Sequence, residues 1–171
     1  MKKKFLLTLI IALLVILTTG CGKDKKEKDT NKNDNNTNTY EISELTFNVS
    51  SYFEESKYNK GNSKSFSLYD ENDKVSCWVI AAYRDWVNYE EIELIEDFMR
   101  EEYNISELEK VTYNGKEWTK GYKTSDDFNE YYHGIIYNAK VYLITISDFS
   151  KDTNTTCNEE IESVMNSAKF Q

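Results

Sequence analysis

Proline is missing from this sequence altogether, histidine occurs once, and cysteine three times. The single histidine, His133, stands with Asn129, Tyr131 and Ile135 on one face of an expected strand, and no pattern supplies the partners a catalytic triad or metal site requires. It reads as a sheet-face histidine. No Cys-x-x-Cys pair occurs, so a structural zinc site is not expected. The G-x-G-x-x-G, P-loop, G-x-S-x-G and H-E-x-x-H patterns are all absent, which removes the dinucleotide, phosphate-loop, serine-hydrolase and zinc-protease signatures. Asp70-Glu71-Asn72-Asp73 has the acidity of a calcium loop, but Lys74 occupies a ligand position and no glycine bends the chain. Carboxylates are abundant, yet no pair is singled out for acid–base work. The expectation is a protein with no cofactor, no metal and no catalytic residue.

Positive charge is scarce beyond the N-terminus. Residues 1–20 contain three lysines, and without them 18 basic side chains face 30 acidic ones. Gly22 to Thr39 holds five lysines and four acids, so Tyr40 to Gln171 carries 13 basic against 26 acidic side chains, net −13. A domain of that charge is not built for nucleic acid or for anionic lipid. Its acidity serves solubility, or it suits a basic partner.

What is present at the N-terminus is an address. Met1-Lys2-Lys3-Lys4 is a positive lead, and Phe5 to Leu17 is nearly all apolar. An apolar run of about 13 residues fits a signal peptide and is shorter than the ~20 that span a bilayer. Leu17-Thr18-Thr19-Gly20-Cys21 follows. It resembles the bacterial lipobox, in which small residues precede an obligatory cysteine that carries the lipid; Thr18 stands where leucine is commonest. Residues 1–20 are thus expected to be a cleaved lipoprotein signal peptide, with Cys21 the site of lipidation. The competing reading is an uncleaved membrane helix with an incidental cysteine. Residues 21–39, with the run GKDKKEKDTNKNDNNTNT, contain nothing apolar that could join a core and read as anchor and disordered tether. The expected location is the outer face of a cell membrane, held by the lipid at Cys21. The absence of proline and the abundance of Lys, Asn, Ile, Tyr and Glu fit an AT-rich coding bias and a Gram-positive source.

Residues 40–171 make one domain of 132 residues, long enough to bury a core. Leu45 to Val49 alternates with period two and reads as a strand, Ser50 to Ser56 as a turn or short helix, and Ser65 to Tyr69 as a strand. Lys74 to Arg84 is apolar on both faces, as in a central strand covered on both sides. Asn88 with Glu91 opens a helix running to Tyr103, with Ile92, Ile95, Phe98, Met99 and Tyr103 as its apolar stripe. Leu108–Tyr113 and Lys116–Lys123 flank Asn114-Gly115, a strong hairpin signal; Phe128–Tyr137 and Lys140–Ser147 flank Asn138-Ala139, with Ala where Gly is expected. Thr156 to Lys169 reads as a helix capped by Thr156 and Glu159. With Cys21 assigned to lipid, Cys77 and Cys157 remain as an even pair in an oxidising compartment; they either bridge or stand as two separately buried thiols.

The order is α+β: an antiparallel sheet of about six to seven strands flanked by helices. Particular residues accompany it. Phe47-Asn48-Val49-Ser50-Ser51-Tyr52-Phe53 is an aromatic turn after the first strand, Val111 to Trp118 surrounds the Asn-Gly turn, and Val164-Met165-Asn166-Ser167-Ala168-Lys169-Phe170 closes the chain. This set resembles the PsbP-like fold, shared by the extrinsic PsbP proteins of photosystem II and the DcrB-like bacterial lipoproteins. Ser50 stands where that family often has proline. The resemblance spans Ile42 to Phe170 and implies an α/β/α sandwich and an extracytoplasmic address; it carries over no catalytic residue.

The 13 Tyr, 3 Trp and 8 Phe are the least ordinary feature. Trp118, Tyr122, Tyr131 and Tyr132 cluster in the hairpin half and are the candidate binding surface, set against the favoured reading of cross-strand aromatic pairing that only stabilises the sheet. The functional expectation is a non-enzymatic binding or accessory module with an envelope protein as partner and the membrane as anchor. A small-ligand capture protein serving a transporter or sensor is the alternative.

Overall fold

The computed structural model describes residues 36–57, 59–86, 94–149 and 155–171. Their elements run β1 (Thr37–Ile42), β2 (Leu45–Ser50), β3 (Glu54–Glu55), β4 (Ser63–Tyr69), β5 (Val75–Asp85), α1 (Ile95–Tyr103), β6 (Leu108–Tyr113), β7 (Lys116–Thr124), β8 (Asn129–Tyr137), β9 (Lys140–Asp148), α2 (Thr155–Ser167) and β10 (Lys169–Phe170). The strands form two antiparallel sheets. One has three strands in the order β1-β2-β10, the other seven in the order β3-β4-β5-β9-β8-β7-β6. No helix among the described residues is long and apolar enough to cross a membrane.

Both expected hairpins form. Asn114 and Gly115 take φ values of 48° and 72°, and Asn138 and Ala139 take 48° and 57°. These are the positive values a two-residue turn needs to match the right-handed twist of its strands. Each turn sets its register: Val111 faces Trp118 in the first hairpin, and His133 faces Ile144 in the second.

Several expectations are corrected. Thr37, Asn38 and Thr39, read as tether, belong to β1 and pair with Ser50, Val49 and Asn48. An edge strand needs only backbone partners, so polar, exposed side chains suffice and leave no apolar signal. Of the two readings of Ser50 to Ser56, turn or short helix, the turn is the one that forms, followed by β3. The last helix stops at Ser167, and Lys169 and Phe170 turn into β10 against Thr46 and Leu45. Helix α1 starts after Leu94, which is extended and has no side-chain cap. The expected Asn88–Glu91 cap and Ile92 lie outside the described residues, as does the side chain of Thr156.

Two apolar clusters hold the domain together. The larger joins Phe47 and Val49 of β2, Phe66, Val79, Tyr142, Ile144 and Ile146 of the large sheet, and Ile161, Val164 and Met165 of α2. The smaller joins Ile95, Phe98 and Met99 of α1 with Tyr132, Val141 and Leu143. Along β9, Tyr142, Ile144 and Ile146 enter the first cluster and Val141 and Leu143 the second, as period two requires. Gly121 and Gly134 admit α1 to the sheet. A Cβ at Gly121 would lie 3.2 Å from Met99 Cε of α1 and 2.7 Å from Ile105 Cγ2 just beyond that helix, and one at Gly134 3.0 Å from Met99 Sδ. Strand β5 is central, but Trp78 on its second face is 38% exposed. That face was expected to be covered; α1 packs on β7 and β8, two to three strands away.

Candidate functional site

Strand parity sorts the four aromatic residues expected to form one surface. Trp118, Lys120 and Tyr122 of β7 share a face with Tyr131 and His133 of β8, because Lys120 pairs with His133 and Tyr122 with Tyr131. Tyr132 points to the other face. There it is buried against Tyr103 of α1, its ring 5.3 Å away, and donates its hydroxyl to Glu130 Oε2 at 2.7 Å. Trp118 has the right parity but is fully buried, stacked at 6.0 Å on Phe170 of β10. Both residues are therefore core rather than binding surface. Tyr122, 44% exposed, and the half-buried Tyr131 remain at the surface, their rings 5.1 Å apart.

These two tyrosines line a groove of about 400 Å³ with Glu107, Leu108, Glu109, Lys120 and Gly121. Lys120 donates to Glu109 Oε1 at 2.8 Å. That hydrogen bond raises the Lys120 ammonium and lowers the Glu109 carboxyl relative to their ordinary values, so both charges persist across neutral pH. Burial raises the Tyr131 hydroxyl, which keeps it a neutral donor. The groove thus offers two aromatic faces, two carboxylates and one ammonium.

The polar residues of the groove were not singled out from the sequence, although the signal was there. A two-residue turn at Asn114-Gly115 dictates that Glu109 faces Lys120, five positions from the turn on each side. Beside them lies His133, fully buried, its ring 5.8 Å from that of Tyr113, with neither ring nitrogen hydrogen-bonded. Burial, reinforced by Lys120, lowers it to about 4. The sequence placed His133 on a sheet face; the structure buries that position, and a neutral histidine of this kind is core in character.

The remaining sequence candidates fall elsewhere. Asp70 Oδ1 accepts the backbone amides of Asn72 and Lys74 at 2.8 and 2.9 Å, which fixes its turn and lowers its carboxyl. Cys77 of β5 and Cys157 of α2 are bridged as a disulfide, their Cα atoms 5.6 Å apart. Cys21 lies outside the described residues. No group of three metal-ligating side chains occurs among the described residues.

No family model and no curated protein matches the chain. It is similar in fold to a crystal structure of a protein from Bacteroides thetaiotaomicron, with a TM-score of 0.52 and 11% sequence identity. The match covers 80% of this chain and 49% of that one, so this chain spans about half the length of its structural relative. At that identity the likeness is one of fold alone.

Proposed function

We propose that this chain is an extracytoplasmic lipoprotein, anchored through Cys21 to the outer face of a cell membrane, whose folded domain is a non-enzymatic binding module for an envelope protein. The observation that carries the binding assignment is the Tyr122–Tyr131 pair, exposed Tyr122 beside half-buried Tyr131, over a groove with charged side chains at its rim. Tyrosine suits recognition because it offers a large rigid face and a polar tip at small entropic cost. The lipobox-like Leu17 to Cys21 and the polar run behind it support the anchor and the tether.

The domain is further proposed to be an α/β/α sandwich of the PsbP-like kind. Helix α1 shares its apolar cluster with Val141 and Leu143, and α2 with Ile144 and Ile146, which supports helices on opposite faces of β9.

Crosslinking in intact cells of the native lipidated chain tests the binding reading. A discrete partner is expected, captured by the parent and lost with Tyr122→Ser, a surface change that leaves folding intact. A partner retained in full by that variant would remove the groove from the interface. A second reading is favoured by the size of the groove, which falls within the ~300–1,000 Å³ of small-molecule sites. In that reading the domain captures a ligand for a transporter or sensor. Native mass spectrometry of the purified chain decides it: a bound small molecule displaced by Tyr122→Ser supports capture.

A further inference from the structure

The seven-stranded sheet ends in a step. Strand β6 starts at Leu108, opposite Gly121, whereas β7 runs on through Tyr122, Lys123 and Thr124. Those three residues pair with Tyr131, Glu130 and Asn129 of β8 on one side. On the other side no strand among the described residues meets them. A short length of open sheet edge therefore lies at the end of the groove that Tyr122, Gly121 and Glu107 line.

An open edge next to an aromatic groove is the arrangement that takes up an extended segment as an added strand: the backbone supplies hydrogen bonds and alternate side chains enter the groove. Charge selects the segment. The groove presents Glu107 and Glu109 against Lys120, Lys123 of the open edge lies on the opposite face of the sheet paired with Glu130, and the domain has 13 basic and 26 acidic side chains. The faces of Tyr122 and Tyr131 attract a cation for the same reason, through the negative potential above an aromatic ring. We infer that the occupant of the groove is an extended, lysine- or arginine-bearing segment of the protein partner, added antiparallel or parallel to β7 at Tyr122–Thr124 in line with β6. The inference rests on the binding reading above and names its partner by chemistry. A basic side chain of the segment sits between the tyrosines and Glu107, and the segment's backbone completes the step.

The test is selection of a randomised nine-residue peptide library on the full chain in nanodiscs, followed by hydrogen exchange read by mass spectrometry. Selected peptides are expected to be enriched in lysine and arginine and to slow amide exchange in the fragment containing Tyr122 to Thr124. Binding is expected to weaken with salt, as exposed charge pairs do, and by on the order of tenfold with Glu107→Gln together with Glu109→Gln, since the second change also frees Lys120 to repel the ligand. Peptides without basic enrichment, or basic peptides that leave exchange at Tyr122–Thr124 unaltered, overturn the inference. So does protection of that fragment by a neutral chito-oligosaccharide with no peptide selected, which would make the groove a sugar site. If the peptide result is negative while capture in cells still depends on Tyr122, the groove stands as the interface and only the basic extended partner falls.

Discussion

Glu160 of α2 accepts a hydrogen bond from the backbone amide of Ser50 at 2.9 Å, and it does so buried, at 6% exposure. Burial raises its carboxyl above the ordinary value, and the Ser50 amide opposes that shift. The contact ties the end of β2 to α2 across 110 residues of sequence.

Two substitutions separate the hydrogen bond from the charge. Glu160→Ala leaves the Ser50 amide unpaired and is expected to cost about 1–3 kcal/mol by urea denaturation at neutral pH. Glu160→Gln keeps an acceptor and removes the buried charge, so it is expected to match or exceed the parent. A group whose folded value is raised penalises the fold at high pH and is relieved as pH falls through that value. The advantage of Glu160→Gln should therefore shrink on acidification; an advantage that grows would contradict the assignment.

Ala139 holds φ at 57° in the β8–β9 turn, a region that strains any residue with a Cβ. Ala139→Gly is expected to stabilise the domain by roughly 0.5–1 kcal/mol, the relief of that strain exceeding the extra entropy of glycine in the unfolded chain. Thermal melting reads it, and a lowered midpoint would show that the turn tolerates alanine without cost.

His133 makes stability depend on pH in a defined window. It ionises near 6.5 when unfolded and at about 4 when folded. Above pH 6.5 both states are neutral and stability is complete. As pH falls from about 6.5 to about 4 only the unfolded chain takes the proton, and roughly 3 kcal/mol is lost. The lowered carboxyls of Glu44, Asp70, Glu96 and Glu109 add further loss as pH falls below the ordinary carboxylate value. Chemical denaturation across this range should show His133→Leu losing the slope between pH 6.5 and the carboxylate region. An unchanged slope there would mean that His133 is solvated in the fold.

The Cys77–Cys157 bridge spans 80 residues, and both sulfur-bearing residues are fully buried. Closing a loop of that size stabilises by roughly 4 kcal/mol in the chain-entropy account. Replacing both cysteines with alanine should lower the denaturation midpoint accordingly. Reductant alone should leave the native thiols unlabelled, with labelling appearing only when denaturant is added; rapid labelling of the folded protein would show that the bridge is exposed.

Much of the local structure was legible because its causes are local. Positive φ at Asn114 and Gly115 is a property of those two side chains, and the register of β6 on β7, including Glu109 against Lys120, follows from the turn by counting. Period-two alternation marked Leu45 to Val49 as a strand, and a continuous apolar run marked Lys74 to Arg84. Strand β1 was illegible because Thr37, Asn38 and Thr39 contribute backbone rather than apolar surface to their sheet. The end of α2 was misread because the apolar spacing of Val164, Met165 and Ala168 continues up to Lys169 and Phe170, whose backbone is claimed by β2.

The candidate site shows where local reasoning stops. Trp118 and Tyr122 are four residues apart on one strand, so alternation puts them on the same face and treats them alike. For the two hairpins of β6 to β9 the chain's own pattern determined that much: the strands, their turns, the register within each hairpin and the two faces. Which part of a face meets solvent was decided by Phe170, 52 residues after Trp118, which stacks on that residue and leaves Tyr122 exposed. Burial depends on what the rest of the chain places overhead, and only tertiary packing supplies that.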